Sequence, residues 1–513
     1  MKNGRSPVTF STGTDEHGAK VDQSAQLAGV STLEFCNNIS KTFKDAFDAF
    51  DIQYTDYIRT TEPRHVQVVE KVWSKLRQSG DLYEGSYEGW YCTSDESFIL
   101  PDQVIKDEDG TVRSPTSGHK CEWLSEKTFR FKLSKYKHKL LAYYESNPKV
   151  IIPEERYNEA VIMLRNMCNN PDPNLELDLS VSRRRDRVRW GIPAPDDPSQ
   201  TIYVWLDALC NYLTVSKTFT SDVEWTWTAP TVQVLGKDIL KFHSIYWPAL
   251  LMALGLELPK QLLVHSHWLV DGVKMSKSLG NVLDPYQAKT LVKDTLSVSD
   301  EVASRYFKYF LLRNANISQD SDFMIKQLNM RINELADNIG NLLTRVFSIK
   351  VHPNPSPLHF NHLEDLNQEE KDGCKDLIGQ INSLRTDYAF HVEQNGDFRS
   401  AIECVVRVAF RCNHLVNMMQ PWLLVKDENQ HRKLEMLKFM VYESLRVCGV
   451  ALRPVLPFES EKLLKHLNVD ESTWSFDKIG FGSNGYDAPV VQNQSPILFE
   501  KSKVVNKNKS FSG

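Results

Sequence analysis

The stretch Asp271–Asn281, DGVKMSKSLGN, contains two lysines and two serines between glycines and has no periodic apolar face. Such a pattern predicts a flexible loop rather than a helix or a strand. A loop of this kind can close over a polyphosphate, so that Lys274 and Lys277 stabilise charge that develops in a transition state. Taken alone, the loop also allows a second interpretation, a lysine-rich segment exposed to solvent.

The composition around this loop is that of an ordinary globular protein, with 25% charged and 41% hydrophobic residues. A length of 513 residues predicts two to four domains. The net charge of -5 argues against a generally basic protein that coats nucleic acid. No apolar run approaches the ~18 residues of a membrane span, and the nine cysteines form no Cys-x-x-Cys pair, which indicates a reducing compartment. We therefore expect a soluble protein with no membrane partner.

Strand and helix patterns alternate over much of the chain. SPVTFSTGTDEHGAKV predicts a strand, a turn and a helix over Ala19–Ala28, and strand-like runs at Thr201–Leu209 and Thr231–Leu240 predict a parallel α/β sheet. Short alternating strands between these regions predict a β-rich insertion. From Phe323 to Arg453 apolar residues step by three and four, which predicts a helical bundle, and residues from Asp487 onward resemble a loosely structured tail.

The string Lys-Met-Ser-Lys-Ser is the signature of class I aminoacyl-tRNA synthetases, and the chain resembles the methionyl-tRNA synthetases of the mitochondrial and bacterial single-chain type. Further motifs appear in the order that this family uses: TGTDEHGAKV (Thr12–Val21), DYIRTTEPRH (Asp56–His65), GWYC (Gly89–Cys92), VSRR (Val181–Arg184), VWLDAL (Val204–Leu209), GKDILKFHSIYWPALL (Gly236–Leu251) and QPWLL (Gln420–Leu424). Together they cover nearly the whole chain.

The resemblance implies an α/β Rossmann-like class I catalytic domain with a β-rich insertion, followed by an all-α anticodon-binding bundle. The expected boundaries are 1–85 for the first half of the catalytic domain, 86–195 for the connective insertion, 196–262 for the second half, 263–325 for the lysine loop and stem-contact region, 326–470 for the anticodon-binding domain and 471–513 for a C-terminal tail. We expect a monomer.

The resemblance also implies a methionine–tRNA ligase that forms methionyl-adenylate from L-methionine and ATP with Mg²⁺, and then transfers methionine to tRNA(Met). Such an enzyme positions two anions and stabilises the leaving pyrophosphate, and Lys277 with Lys274 is expected to contact the phosphates. Asp238 follows an apolar run and is expected to accept the ribose hydroxyls, although a helix-capping aspartate is the alternative. Gly236 allows close approach of the backbone to ATP, and His265 matches a position near the adenosine.

The family pattern places the substrate methionine between a charged group and an aromatic pocket. Asp15 matches the carboxylate that holds the substrate ammonium group; a bare Asp-Glu-His triplet otherwise indicates a metal site or a simple turn. Arg183 matches an arginine that reaches the active site, with the register open by one residue within a run of arginines. The pocket positions, which by themselves could be ordinary core, are Trp205, Ala208, Leu209, Tyr212, Ile239, His243, Tyr246 and Trp247.

Three departures from the family pattern are visible. Leu209 stands where many relatives have proline, and Tyr246 where some have phenylalanine. In the insertion, Cys92 and Cys121 are the remaining zinc-ligand candidates, with Asp95 where a further cysteine is usual. Two thiols do not complete a tetrahedral site, so no structural zinc is expected.

Four polar residues recur every four positions in the helical region: Asn333, Asp337, Asn341 and Arg345. They predict one polar helix face, which is usually only solvated. In the family this helix and a tryptophan of a Pro-Trp pair read the anticodon, and Trp422 matches that tryptophan. An exposed indole suits an unstacked base. Another class I synthetase or a related nucleotidyltransferase is disfavoured by Trp422 and the pocket residues.

The lysine loop of this family works opposite a His-x-Gly-His segment that lies upstream of the Asp15 position. Residues 1–14 precede Asp15, and the sequence contains no His-x-Gly-His. We expect an N-terminally truncated synthetase with an exposed apolar sheet edge, a tendency to aggregate and weak activity. The alternative is a catalytically impaired short form that acts as a non-enzymatic tRNA-binding protein. The resemblance implies the mitochondrial matrix, with the cytoplasm as alternative, and we expect no targeting peptide to be readable in this sequence.

Overall fold

The computed structural model describes residues 8–92, 97–99, 104–115, 118–169, 178–217, 229–230, 232–275, 280–360 and 363–500. The chain divides into two compact units, Met1–Val264 and His265–Gly513. None of the helices within the described ranges is long and apolar enough to cross a membrane.

The first unit combines short strands with helices that cover them. Its strands are β1 (Ser11–Thr14), β2 (Asp56–Arg59), β3 (Leu82–Cys92), β4 (Ser97–Ile99), β5 (Ile105–Lys106), β6 (Val112–Arg113), β7 (Cys121–Phe131), β8 (Ile151–Ile152), β9 (Leu179–Ser180), β10 (Ser182–Arg184), β11 (Pro193–Ala194), β12 (Asp197–Ile202), β13 (Gln233–Gly236) and β14 (Leu262–His265). Its helices are α1 (Ala19–Ala28), α2 (Thr32–Ala49), α3 (Pro63–Gln78), α4 (Lys137–Ser146), α5 (Glu154–Asn169), α6 (Val204–Leu209), α7 (Asn211–Val215) and α8 (Trp247–Leu254).

The predicted strand, turn and helix at the start of the chain are confirmed as β1 and α1. β1 pairs in parallel with β2, from Ser11 opposite Asp56 to Thr14 opposite Arg59. Gly13 is required in this pair because a Cβ atom there would lie 1.8 Å from the carbonyl oxygen of Ile58. β8 and β14 form a second parallel pair, and β13 adjoins β14 in the same sheet.

Exposed apolar side chains mark the borders of these two sheets. Phe10 precedes β1, while Val232 and Val234 lie at the start of β13, and all three side chains are exposed. These three apolar side chains are therefore part of the described surface.

The strand-like prediction for Thr201–Leu209 is wrong beyond Ile202. β12 ends there and pairs antiparallel with β10 and β11, whereas Val204–Leu209 forms helix α6. Trp205, Leu206 and Leu209 are buried, with the three-to-four spacing of a helix. The run is too short for periodicity to distinguish a buried strand from a buried helix.

The β-rich insertion is confirmed. β3 and β7 pair antiparallel over their full lengths, from Leu82 opposite Phe131 to Cys92 opposite Cys121. The two cysteines are buried in an apolar cluster with Ile99. Asp95 lies outside the described residues.

The second unit is mostly helical. Its helices are α9 (Pro285–Leu296), α10 (Asp300–Asn314), α11 (Ile325–Leu335), α12 (Asn341–Val346), α13 (Gln368–Ala389), α14 (Phe398–Met419), α15 (Pro421–Leu424), α16 (His431–Leu452) and α17 (Pro457–His466). Its short strands are β15 (Trp268–Val270), β16 (Val273–Lys274), β17 (Ser321–Asp322), β18 (Leu358–His359) and β19 (Asp487–Ala488). A π-helical turn over Ala336–Gly340 joins α11 to α12.

The predicted apolar stripe along α11 and α12 forms part of the bundle core. Its members are all fully buried: Leu328, Ile332, Leu335, Ile339, Leu342 and Val346. The prediction of a loosely structured tail is wrong for the described residues up to Glu500. β19 pairs with β18, and Leu498 and Phe499 are buried, because these apolar side chains pack on the bundle.

A buried ion pair fixes the segment after α17 to the core helix α16. Arg446 and Glu443 of α16 are joined by two hydrogen bonds of 2.6 and 2.9 Å, and both side chains are buried. Arg446 also donates to the carbonyl oxygens of Lys478 and Gly480, at 2.9 and 2.8 Å. Glu443 accepts from the backbone N–H of Gly482 at 2.8 Å. The pair thus satisfies backbone groups that the crossing segment cannot pair by itself.

We predict that Arg446→Ala lowers the free energy of unfolding by about 3–5 kcal/mol, because it leaves the Glu443 carboxylate buried without its partner. Arg432→Ala on the exposed start of the same helix is the control, with an expected change of at most about 0.5 kcal/mol. Urea unfolding followed by far-ultraviolet circular dichroism measures both. Equal effects of the two substitutions would show that the ion pair is not a stabilising element.

Candidate functional site

The turn between β1 and α1 presents one carboxylate to solvent and buries the next. Asp15 is exposed, whereas Glu16 is 3% exposed. Arg59 of β2 donates from Nε and Nη2 to the two carboxylate oxygens of Glu16, at 2.7 and 3.0 Å. Thr61 donates to the same carboxylate at 2.5 Å. A bidentate pair of this kind holds the turn in one geometry.

Trp190 closes the other side of the turn. Its indole N–H donates to the carbonyl oxygen of Glu16 at 2.6 Å, and its own carbonyl oxygen accepts from the N–H of Gly18 at 3.0 Å. Gly18 has φ 113°, which favours glycine. The backbone on both sides of Asp15 is therefore fixed by side chains and backbone groups distant in sequence.

A buried carboxylate on α6 lies between two histidines. Asp207 Oδ2 is 2.6 Å from His17 Nδ1, and Oδ1 is 2.7 Å from His65 Nε2. His65 Nδ1 lies 2.9 Å from Thr214 Oγ1. Burial acts to raise the pKa of Asp207, but the hydrogen bonds from the two histidines outweigh it and hold that pKa below its usual value.

His17 contacts Asp207, whereas Glu16 is paired with Arg59. The three side chains of the Asp-Glu-His triplet therefore do not converge on one point. The metal-site interpretation of this triplet is therefore not supported. Among the described residues, no group of three or more His, Cys, Asp and Glu side chains is placed to hold a metal ion.

Asp15 is accessible to solvent but is surrounded by protein on its other sides. Burial within that protein raises the pKa of Asp15 to about 7, with the negative charge of Asp207 as the second cause. The charge of His17 and a hydrogen bond from its backbone N–H act in the opposite direction. A carboxylate in such surroundings gains more from a cationic partner than one that is fully hydrated.

The predicted pocket residues come together beside this turn. On α6, Trp205, Ala208 and Leu209 share one helix face, and Trp205 stacks obliquely with Tyr246 at 5.4 Å between ring centroids. Tyr212 of α7 lies 5.5 Å from the ring of Trp247.

Polar atoms inside this aromatic cluster are paired with each other. Tyr212 Oη is 2.9 Å from His243 Nε2, and His243 Nδ1 is 3.1 Å from the carbonyl oxygen of Ile239. Burial raises the pKa of Tyr212 to about 12 and lowers the pKa of His243. Both groups are consequently uncharged at neutral pH, which matches an apolar, polarisable ligand. Ile239 is 38% exposed at the edge of the cluster.

Arg183 lies on β10, next to this cluster, and is buried. Its Nη1 donates to Ser180 Oγ at 2.6 Å and to the carbonyl oxygen of Ser182 at 2.8 Å. Its guanidinium lies 3.9 Å from the ring centroid of Tyr203, the residue before α6. Arg184 is exposed and pairs with Asp186.

The predicted nucleotide-binding residues lie at strand ends and turns. Gly236 ends β13, and Asp238 follows it in an exposed 3₁₀ turn. His265, the last residue of β14, is exposed, and in the second unit Lys274 is exposed on β16 opposite Leu269. Lys277 lies outside the described residues.

In the helical unit, residues far apart in sequence form one partly exposed cluster. The Arg345 guanidinium lies 5.3 Å from the ring centroid of Trp422 and donates to Asn417 Oδ1 at 2.6 Å. Asn341 donates to Asp337 Oδ1 at 3.1 Å. Trp422 is 38% exposed at the start of α15.

Asn333 lies earlier, on α11, and its side-chain oxygen is buried without a hydrogen-bond partner among the described residues. The π-helical turn separates it from Asn341, which breaks the simple four-residue spacing. Asn417 was missed by sequence reasoning, because only the packing of α14 beside α12 brings it to Arg345.

Comparison with known proteins identifies the family. A family model described as "tRNA synthetases class I (M)" matches residues 1–347. The probable mitochondrial methionine–tRNA ligase of Dictyostelium discoideum is 36% identical, over 97% of this chain and 84% of that protein. The mitochondrial methionine–tRNA ligase of Takifugu rubripes is 40% identical, over 96% of this chain and 82% of that protein.

A solved structure agrees with these relatives. Mycobacterium tuberculosis methionyl-tRNA synthetase in complex with methionyl-adenylate is similar with a TM-score of 0.83 and 31% identity, over 97% of this chain and 92% of that chain. The predicted fold class is thereby confirmed. By sequence, fold and motif order, the chain belongs to the methionyl-tRNA synthetases of class I.

Proposed function

We propose that this chain acts as a methionine–tRNA ligase, which activates methionine with ATP to methionyl-adenylate and then transfers it to tRNA(Met). Among the described residues, the observation that carries the proposal is the position of Asp15. Its carboxylate lies on a rigid turn, and that turn is hydrogen-bonded through His17 and Asp207 to the helix that bears Trp205 and Ala208. A charged group and an aromatic pocket on linked elements suit an α-amino acid with an apolar side chain.

In this proposal Asp15 pairs with the substrate ammonium group. The pocket for the thioether side chain consists of Trp205, Ala208, Leu209, Tyr212, Ile239, His243, Tyr246 and Trp247. Tyr212 donates to the neutral His243, whose Nδ1–H donates to Ile239, so neither ring leaves a charge in the pocket. Charged and strongly polar side chains would lose their hydration there without compensation.

ATP, taken up as its Mg²⁺ complex, is the second substrate. We assign Asp238 to the ribose of ATP and Gly236 to the point where the protein backbone approaches ATP closely. We place His265 at the adenosine, and Lys274 and Lys277 at the phosphates. The methionine carboxylate then attacks the α-phosphorus in line, and pyrophosphate leaves. Arg183 is assigned to the same site, where it supports Tyr203 at the start of α6.

We assign anticodon reading to Asn341, Arg345 and Trp422, together with Asn333 on the preceding helix α11. The contact between the guanidinium of Arg345 and the ring of Trp422 supports this assignment, because it presents a π surface and hydrogen-bond donors at one point.

The remaining assignments rest on the relatives. Their names support a mitochondrial location, which we place in the matrix, and we propose a monomer that needs no structural zinc. The domain boundaries stay as predicted, and the division between Val264 and His265 adjoins the proposed boundary at 262. Because these relatives are ligases, they do not favour the alternative of a non-enzymatic tRNA-binding protein.

The pKa of Asp15 leads to a prediction on the pH dependence of methionine use. Only ionised Asp15 can pair with the ammonium group, and its pKa of about 7 means that the ionised form is lost as the pH falls through neutrality. Between pH 8 and pH 6 we therefore expect the KM for methionine in pyrophosphate–ATP exchange to rise about tenfold.

Asp15→Asn should raise the KM at pH 8 and remove this pH dependence. Asp45→Asn, at an exposed aspartate of α2, is the control and should leave the profile unchanged. An Asp15→Asn variant with the KM and profile of the unchanged chain would remove Asp15 from the site.

A substitution at Trp422 separates the tRNA step from activation. Trp422→Ala removes a stacking surface worth about 1–3 kcal/mol, so the KM for tRNA(Met) should rise about 5- to 150-fold while methionine activation is unaffected. Leu423→Ala is the matched control, since Leu423 is an exposed neighbour on the same helix. Equal losses of charging and activation in Trp422→Ala would refute the assignment.

A further inference from the structure

We propose that Asp207 is a positioning residue of the methionine site, which holds the turn bearing Asp15 in register with the pocket helix α6 through His17. The inference rests on the proposed role of Asp15 and extends it to a carboxylate that does not touch the substrate. The two elements that it connects, the turn with Asp15 and helix α6, are adjacent in space but distant in sequence.

The geometry around Asp207 joins separate parts of the chain. His17 and Asp207 are 190 positions apart, and His65 and Asp207 are 142 positions apart, yet both histidines lie within 2.7 Å of the carboxylate. His17 belongs to the β1–α1 turn, His65 to the first turn of α3, and Asp207 to α6. Displacement of any one of these elements would break a short hydrogen bond to a buried charge.

The chemistry of the position also favours a role beyond packing. Asp207 is 1% exposed, and Leu206 and Cys210 beside it are fully buried. A buried carboxylate costs several kcal/mol of desolvation, so an apolar residue would serve ordinary packing at least as well. Hydrogen bonds to Asp207, by contrast, impose a direction on the His17 ring and hence on the turn that carries Asp15.

Asp207 has an electrostatic effect on Asp15 as well. The titratable groups whose charges act on Asp15 are Asp207, His17 and Glu16, and Glu16 is paired with Arg59. After burial, the charge of Asp207 is the largest cause of the raised pKa of Asp15, and it outweighs the opposing charge of His17. Removal of the Asp207 charge should therefore lower the pKa of Asp15 and keep Asp15 ionised at more acidic pH.

Two variants of the full chain separate position from charge. Asp207→Ala removes both hydrogen bonds, and we expect it to weaken methionine binding at pH 8 by about 10- to 100-fold, as small displacements in positioned sites do. ATP affinity should change by less than about twofold, since the bonds of Asp207 orient the methionine elements. Asp207→Asn retains groups that can bond both histidines, and its methionine affinity should extend to lower pH than in the unchanged chain.

Isothermal titration with L-methionine and, separately, with ATP across pH 5.5–8.5 measures these effects, with Asp45→Asn as the control. Asp207→Asn keeps the test decisive should Asp207→Ala fail to fold. Unchanged methionine affinity and pH profile in Asp207→Asn would overturn the inference, as would a parallel loss of methionine and ATP affinity in Asp207→Ala. An unchanged chain that binds no methionine at any pH would overturn the proposed function and this inference together.

Discussion

The buried hydrogen bonds of Asp207 are the constraint on which the candidate site depends. The turn after β1, the first turn of α3 and helix α6 each contribute one member to His17, His65 and Asp207. Because the carboxylate has no access to water, these bonds must form for the three elements to pack. The same contacts that fold this region therefore place an accessible carboxylate beside an aromatic cluster.

The helical unit uses a comparable arrangement on its surface. Arg345 is held by Asn417 and lies against the ring of Trp422, so that a cation, an amide and an indole are fixed relative to each other before any ligand arrives. A site that is already ordered loses less conformational entropy on binding. The other side of α12, which bears Arg345, carries part of the apolar stripe in the bundle core.

Much of this could be predicted from the sequence, because short motifs retain their order and spacing. The strand, turn and helix around Asp15, the β-rich insertion and the stripe from Leu328 to Val346 follow from local periodicity and turn residues. The family and its fold class follow from the motifs. Local patterns do not predict the remaining features. Val204–Leu209 is too short for its apolar pattern to distinguish a helix from a strand, so its packing in the core decides. Leu498 and Phe499 are buried by the helical bundle, which no local pattern around them indicates.

Partners across long sequence separations were the hardest to foresee. Nothing in the spacing of His17, His65 and Asp207 indicates that they meet, and the same holds for Arg345 and Asn417. The raised pKa of Asp15 likewise depends on tertiary surroundings, since burial and the charge of Asp207 are its two largest causes.

The central claim is that this chain recognises methionine and activates it with ATP. The most direct test is rapid-quench measurement of aminoacyl-adenylate formed by the 513-residue chain with methionine, leucine or cysteine. The account predicts adenylate with methionine and little with leucine or cysteine at the same concentration. Equal adenylate from methionine and leucine, or none from any of the three amino acids, would contradict it.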